Sequence, residues 1–69
     1  MIAVEFGKDR YHLQEEMIQW CRTTLGKGGW AANLELSDNN WSVDSMFGST
    51  FFKFKESKDA VLFQLRWSS

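Results

Sequence analysis

From Ile2 to Phe6 apolar and polar positions alternate, with Ile2, Val4 and Phe6 on one side and Ala3 and Glu5 on the other. A period of two over five residues predicts a half-buried β-strand. Gly7-Lys8 turns the chain, and Asp9 has the chemistry of a helix N-cap. From Arg10 to Leu25 the period changes. Leu13, Met17, Trp20, Cys21 and Leu25 recur at helical spacing, while Gln14, Glu15, Arg22 and Thr23 fill the opposite face. Gly26 stands where a left-handed helix stop belongs, and Lys27 complements the negative end of the helix. Alternation returns from Trp30 to Leu36, with Trp30, Ala32, Leu34 and Leu36 facing one way and Ala31, Asn33 and Glu35 the other, which predicts a second strand. Ser37-Asp38-Asn39-Asn40 is turn chemistry. Trp41 to Phe47 has no clean period and is expected to be an ordered loop pinned by Trp41, Val43 and Met46. Ser49 to Lys55 is the third predicted strand, with Thr50, Phe52 and Phe54 inward. Ser57 and Asp59 suit the N-cap and first turn of a last helix carrying Ala60, Val61, Phe63 and Trp67. Val61, Phe63, Leu65 and Trp67 also alternate with Gln64 and Arg66, so a terminal strand is the competing reading of that segment.

The resulting order, β-α-β-β-α over residues 1–69, is a small single α+β domain with the ferredoxin-like pattern lacking its last strand. By that analogy the sheet is three-stranded and antiparallel, ordered first, third, second, with both helices on one face. The first strand then keeps an unpaired edge, which is normally covered or used for pairing with another chain. The expected core is Val4, Phe6, Leu13, Met17, Trp20, Leu34, Phe52, Phe54 and Phe63.

Size makes that edge matter. A 69-residue domain buries only ~60% of the surface its unfolded chain exposes. Cys21 is the only cysteine, so no intrachain disulfide helps, and one cysteine with one histidine is too few for a structural zinc site. A partner subunit is the simplest remaining source of buried area, and a homodimer is the expectation. Lys and Arg number 8 against 9 Asp and Glu, a net charge of −1, which lacks the basic excess of a phosphate-binding surface. Met1-Ile2-Ala3-Val4-Glu5 has no basic flank of a secretion signal, and no apolar run is long enough for a bilayer, so a cytoplasmic protein with no membrane partner is expected.

The segment Phe47-Gly48-Ser49-Thr50-Phe51-Phe52-Lys53-Phe54 resembles the first ribonucleoprotein motif of RNA-recognition domains, whose pattern is Lys/Arg-Gly-aromatic-Gly/Ala-aromatic-Val-x-aromatic. Gly48, Phe51 and Phe54 match, and Ala60 lies where that family's next helix has its alanine. Phe47 replaces the basic residue and Ser49 replaces one of the two stacking aromatics, which leaves Phe51 alone to stack a base. On the expected open sheet face Lys53 has Glu5 and Glu35 on its flanks, cancelling the positive field a phosphate needs. Phe51 there is expected beside Ala3 and Ala31, forming a flat apolar patch of the kind that marks contact sites. The candidate interaction surface is therefore Ala3, Glu5, Ala31, Glu35, Phe51 and Lys53. Protein contact is preferred, with single-stranded nucleic acid as the alternative.

Other constellations carry less. Gly26-Lys27-Gly28-Gly29 follows a helix instead of preceding one, so no helix N-terminus would point at an anion. His12 and Glu16 stand four apart, but two ligands are not a metal site. Nothing supplies a nucleophile or an oxyanion pocket, and Cys21 on its apolar stripe reads as packing. No catalytic residue, metal or cofactor is expected. Gly28-Gly29-Trp30, Asp44-Ser45-Met46-Phe47-Gly48, Thr50-Phe51-Phe52-Lys53-Phe54 and Asp59-Ala60 with Leu65-Arg66-Trp67 together resemble small uncharacterised proteins encoded by tailed phages of marine cyanobacteria. That resemblance implies a context, a phage protein made inside a bacterial cell and acting there on itself or on a host protein, and it transfers no activity or site.

Overall fold

The computed structural model describes residues 2–35 and 38–67. It is an α+β domain with the order β1 (Ile2–Phe6), a 3₁₀ segment (Lys8–Leu13), α1 (Gln14–Thr24), β2 (Gly28–Trp30), β3 (Trp41–Met46), β4 (Ser49–Phe54) and α2 (Ser57–Trp67). The four strands form one sheet in the order β1-β4-β3-β2. β4 runs antiparallel to both β1 and β3, whereas β2 is parallel to β3. The expected three-stranded sheet is thus corrected to four, and the expected neighbours, the first strand beside the one at Ser49, are those observed.

The correction has a local cause on each side of the 31–40 connection. The alternation from Trp30 to Leu36 does not make a strand. Pairing ends at Trp30, because Ala31 adopts a left-handed φ of 52°, which no extended strand contains. Its N–H still donates to Val43 O at 2.9 Å. Leu34 is buried as expected, but apart from the main core cluster; Leu36 lies outside the described residues. The expected loop from Trp41 is instead β3, an interior strand. Trp41, Ser42 and Val43 are all buried, so both faces of its first half are covered and the alternation that signals a half-exposed strand is lost.

One pleat face of the sheet meets the helices. Val4, Trp41, Val43, Phe52 and Phe54 pack there with Met17, Ile18 and Cys21 of α1 and Ala60, Phe63 and Trp67 of α2, so both helices lie on one face. Phe6, Leu13 and Trp20, expected in the core, are partly buried against it. Phe63 is the hub. Its ring centroid lies 4.8 Å from Phe52, 5.0 Å from Phe54, 5.7 Å from Phe6 and 5.8 Å from Trp20. These are the tilted and edge-on geometries that aromatic quadrupoles favour. The 16% aromatic content is largely this cluster.

The first helix is entered differently from the expectation. Asp9 is not its N-cap: it lies inside the 3₁₀ segment that Gly7 precedes, and Leu13 is the N-cap of the α-helix beginning at Gln14, neither with a side-chain hydrogen bond. Its end is as read. Gly26 has φ +96°, and the N–H groups of Leu25 and Gly26 converge on Cys21 O at 2.8 and 3.2 Å. The last segment is a helix, with Ala60, Phe63 and Trp67 buried; Val61 turns outward and is half exposed. No described helix is long and apolar enough to cross a membrane.

Candidate docking surface

The strand phase that exposes Phe51 is as the sequence predicts. Thr50, Phe52 and Phe54 are buried, whereas Ser49, Phe51 and Lys53 alternate with them and are half-buried. The ladder then fixes what surrounds Phe51 on the helix-free face. Glu5 and Asp44 are its partners on either side, and Lys53 stands in the next row between Ala3 and Ser42. Of the six candidate residues, four are brought together: Ala3, Glu5, Phe51 and Lys53. Ala31 lies beyond the end of β2, and Glu35 is exposed in the following connection, where its N–H donates to Asn33 Oδ1 at 2.9 Å.

The flat apolar patch around Phe51 is therefore corrected. Its flanks are two carboxylates rather than two alanines, because Glu5 is the partner on β1 and the strand on the other side is 41–46 and not 30–36. Lys53 is paired with neither Glu5 nor Glu35. Its Nζ lies 3.3 Å from Asp44 Oδ2, a residue the sequence had consigned to a loop. Phe51 thus sits between two acidic ladder partners, and Lys53 in the next row is already paired with Asp44. Beside them Ser42 is fully buried, and its Oγ has no hydrogen-bond partner among the described residues.

The other sequence candidates resolve into structure. Asn40 Nδ2 donates to Leu25 O at 2.7 Å and Trp41 Nε1 to Gly26 O at 3.0 Å, so side chains satisfy carbonyls at the end of α1. The glycine run is held by these bonds and by the close approach of Gly28 to Trp41. Lys27 Nζ lies 2.8 Å from Asp38 Oδ1, and this hydrogen bond holds the exposed Asp38 carboxyl below its ordinary range. His12 and Glu16 are both exposed, and no group of three or more potential ligands forms a metal site among the described residues. The Cys21 thiol is pushed up to about 12 by burial and by the charge of Asp59, so it carries no thiolate near neutral pH.

The sheet edge is a different kind of surface. Among the described residues β1 is paired on one side only, with β4. Its outer side carries no proline, lysine or bulge to blunt it. A groove runs along that edge, lined by Val4, Glu5 and Phe6 of β1 and by Val61, Gln64 and Leu65 of α2. Of its lining Val61 and Leu65 are 53% and 72% exposed, and Ile2 at the start of β1 is 40% exposed. The open edge was legible from the predicted topology. The α2 ridge was not singled out, although Val61 and Leu65 stand four apart in a helix whose core face is already supplied by Ala60, Phe63 and Trp67. At the far end of the β3–β4 hairpin, Met46 is half exposed and Phe47 98% exposed.

No protein-family model, curated protein or solved structure matches the chain.

Proposed function

We propose that the protein acts by contact and not by catalysis, as a cytoplasmic homodimer of truncated ferredoxin-like architecture. The open β1 edge is its docking surface. The observation that carries this reading is the unblunted outer side of β1 lying beside exposed Val61 and Leu65. Main-chain groups there can pair with an incoming strand, while the adjacent groove takes alternate side chains, the two components of recognition by strand addition. The position of β4, between β1 and β3 and antiparallel to both, supports the ferredoxin-like assignment, with β2 as an added parallel strand. In that architecture the outer side of β1 is where a further strand belongs. A host protein strand is the other occupant of the same edge that the phage context suggests.

Multi-angle light scattering over a wide concentration range tests this directly. The expected result is twice the chain mass at high concentration; a monomer throughout refutes self-association.

The second reading, a single-stranded nucleic-acid binder, is favoured by one observation, the outward placement of Phe51 and Lys53 on neighbouring rows of β4. Glu5 and Asp44 oppose it. It requires oligonucleotide binding at low salt that weakens in Phe51→Ala, and the expected outcome is no binding.

A further inference from the structure

Resting on the proposed self-association, the geometry points to one specific dimer: an antiparallel pairing of β1 with β1 of a second copy, centred on Val4, with the two α2 helices packed along each other on the helical face. The two four-stranded sheets would then be one continuous sheet of eight.

Charge and register choose the centre. In a symmetric antiparallel pair the central residue faces its own copy. Centring on Glu5 sets two carboxylates directly opposite, which is destabilising. Centring on Ala3 leaves Phe6 beyond the end of the paired strand. Centring on Val4 uses the whole strand: Ile2 faces Phe6, Ala3 faces Glu5 and Val4 faces Val4. Aliphatic–aromatic cross-strand pairs such as Ile2 with Phe6 are favourable. A register shifted by one residue turns the second copy over, because alternate side chains point to opposite faces. That arrangement would strand Val61 and Leu65 in water on both copies.

The helices support the same choice. α2 packs over β1 and β4. Strands lie ~4.8 Å apart, so a helix above that pair sits about 5 Å from the dimer axis and about 10 Å from its copy, at the edge of ordinary helix packing distance. The flank turned toward the axis carries Val61 and Leu65, which line the groove with Val4 and Phe6. Each copy therefore covers the apolar ridge that the other exposes.

On the opposite face the charges are complementary. Ala3 has Lys53 of its own β4 on one side and would have Glu5 of the second copy on the other. Lys53 and that Glu5 are two strand spacings apart, about 10 Å between Cα atoms. Their side chains can meet above the small Ala3 methyl, with Lys53 shared between that Glu5 and its own Asp44, 3.3 Å away. The contact occurs twice by symmetry, and such rim charges set register more than affinity.

Disulfide trapping in the full chain tests the register. Directly opposed positions of an antiparallel pair have Cα atoms about 4.5–5.5 Å apart, which fits a disulfide. The native Cys21 is buried and does not compete. Ala3→Cys and Glu5→Cys are prepared separately, mixed, allowed to exchange and mildly oxidised. The expected product is the mixed cross-linked dimer, with each variant alone giving little. Efficient cross-linking of either variant alone overturns this register while leaving self-association standing. Light-scattering monomers with no cross-link in any combination overturn both. Leu65→Lys, at an exposed position, is expected to weaken dimerisation at least tenfold with the circular dichroism spectrum unchanged; undiminished dimerisation overturns the helix seam.

Discussion

Phe47 breaks two local rules at once. It is a bulky side chain at φ +52°, and it is almost wholly exposed. With Gly48 at φ +81° it forms the two-residue loop between Met46 and Ser49, the tight hairpin in which both central residues take positive φ and Asn-Gly is the favoured pair. The left-handed conformation costs an ordinary L-residue roughly 1–2 kcal/mol, and Asn tolerates it far better. Phe47→Asn should therefore stabilise the domain by about 1 kcal/mol, a rise of roughly 4–8 °C in Tm for a chain of this size. Thermal unfolding followed by circular dichroism checks it, and an unchanged or lower Tm would mean that Phe47 contributes a contact that compensates its strain. The phase of β4 was legible at this scale because each of its residues obeys one period: burial of Phe52 and Phe54 and the outward turn of Phe51 follow from counting by two.

At the scale of elements, the junction between β2 and β3 carries the structural surprise. β2 lies against β3 so closely that a Cβ on Gly28 would run into the Trp41 carbonyl and indole ring, whereas one on Gly29 meets nothing within 4 Å. Neither the backbone oxygen nor the buried indole, itself bonded to Gly26 O, can step aside. Gly28→Ala should cost on the order of 1–3 kcal/mol by overpacking, and Gly29→Ala should be near neutral. Urea midpoints of the two variants decide it: equal midpoints would mean the parallel pairing is looser than described. This junction also explains why β3 escaped the sequence. An interior strand covered on both faces shows no alternation, and with Ser42, Asp44 and Ser45 among its six residues it also lacks the continuous apolar run that identifies a buried strand. The false strand from Trp30 to Leu36 has the opposite cause: its alternation is genuine, but Ala31 turns left-handed, which no hydropathy pattern reveals. The misplaced second neighbour of β4 then carried the candidate surface with it, replacing Ala31 by Asp44 beside Phe51. The 3.6-residue period of α1 and the glycine that ends it were legible because local chemistry alone decides them.

Across the whole molecule the helices cover one face of the sheet, so most of the stability resides in a single aromatic layer around Phe63. Cys21 belongs to that layer, and it makes the domain sensitive to alkali. Its thiol is raised from 9.0 to about 12, by burial first and by Asp59 second. Between those values the native state keeps a proton that the unfolded chain releases, so stability falls as pH rises from about 9 toward 12 and the contribution is intact below 9. Denaturant midpoints should be flat from pH 6 to 8 and lower by pH 10, with a shallower alkaline decline in Cys21→Ala; identical slopes would show that other groups cause it. The same burial gives the chain a built-in clock. A maleimide or disulfide reagent has one thiol to find, and can reach it only in molecules whose first helix has momentarily lifted from the sheet. The speed of labelling thus counts those excursions, and its slowing at high protein concentration would record, without any engineered reporter, how firmly a bound companion holds the layer closed.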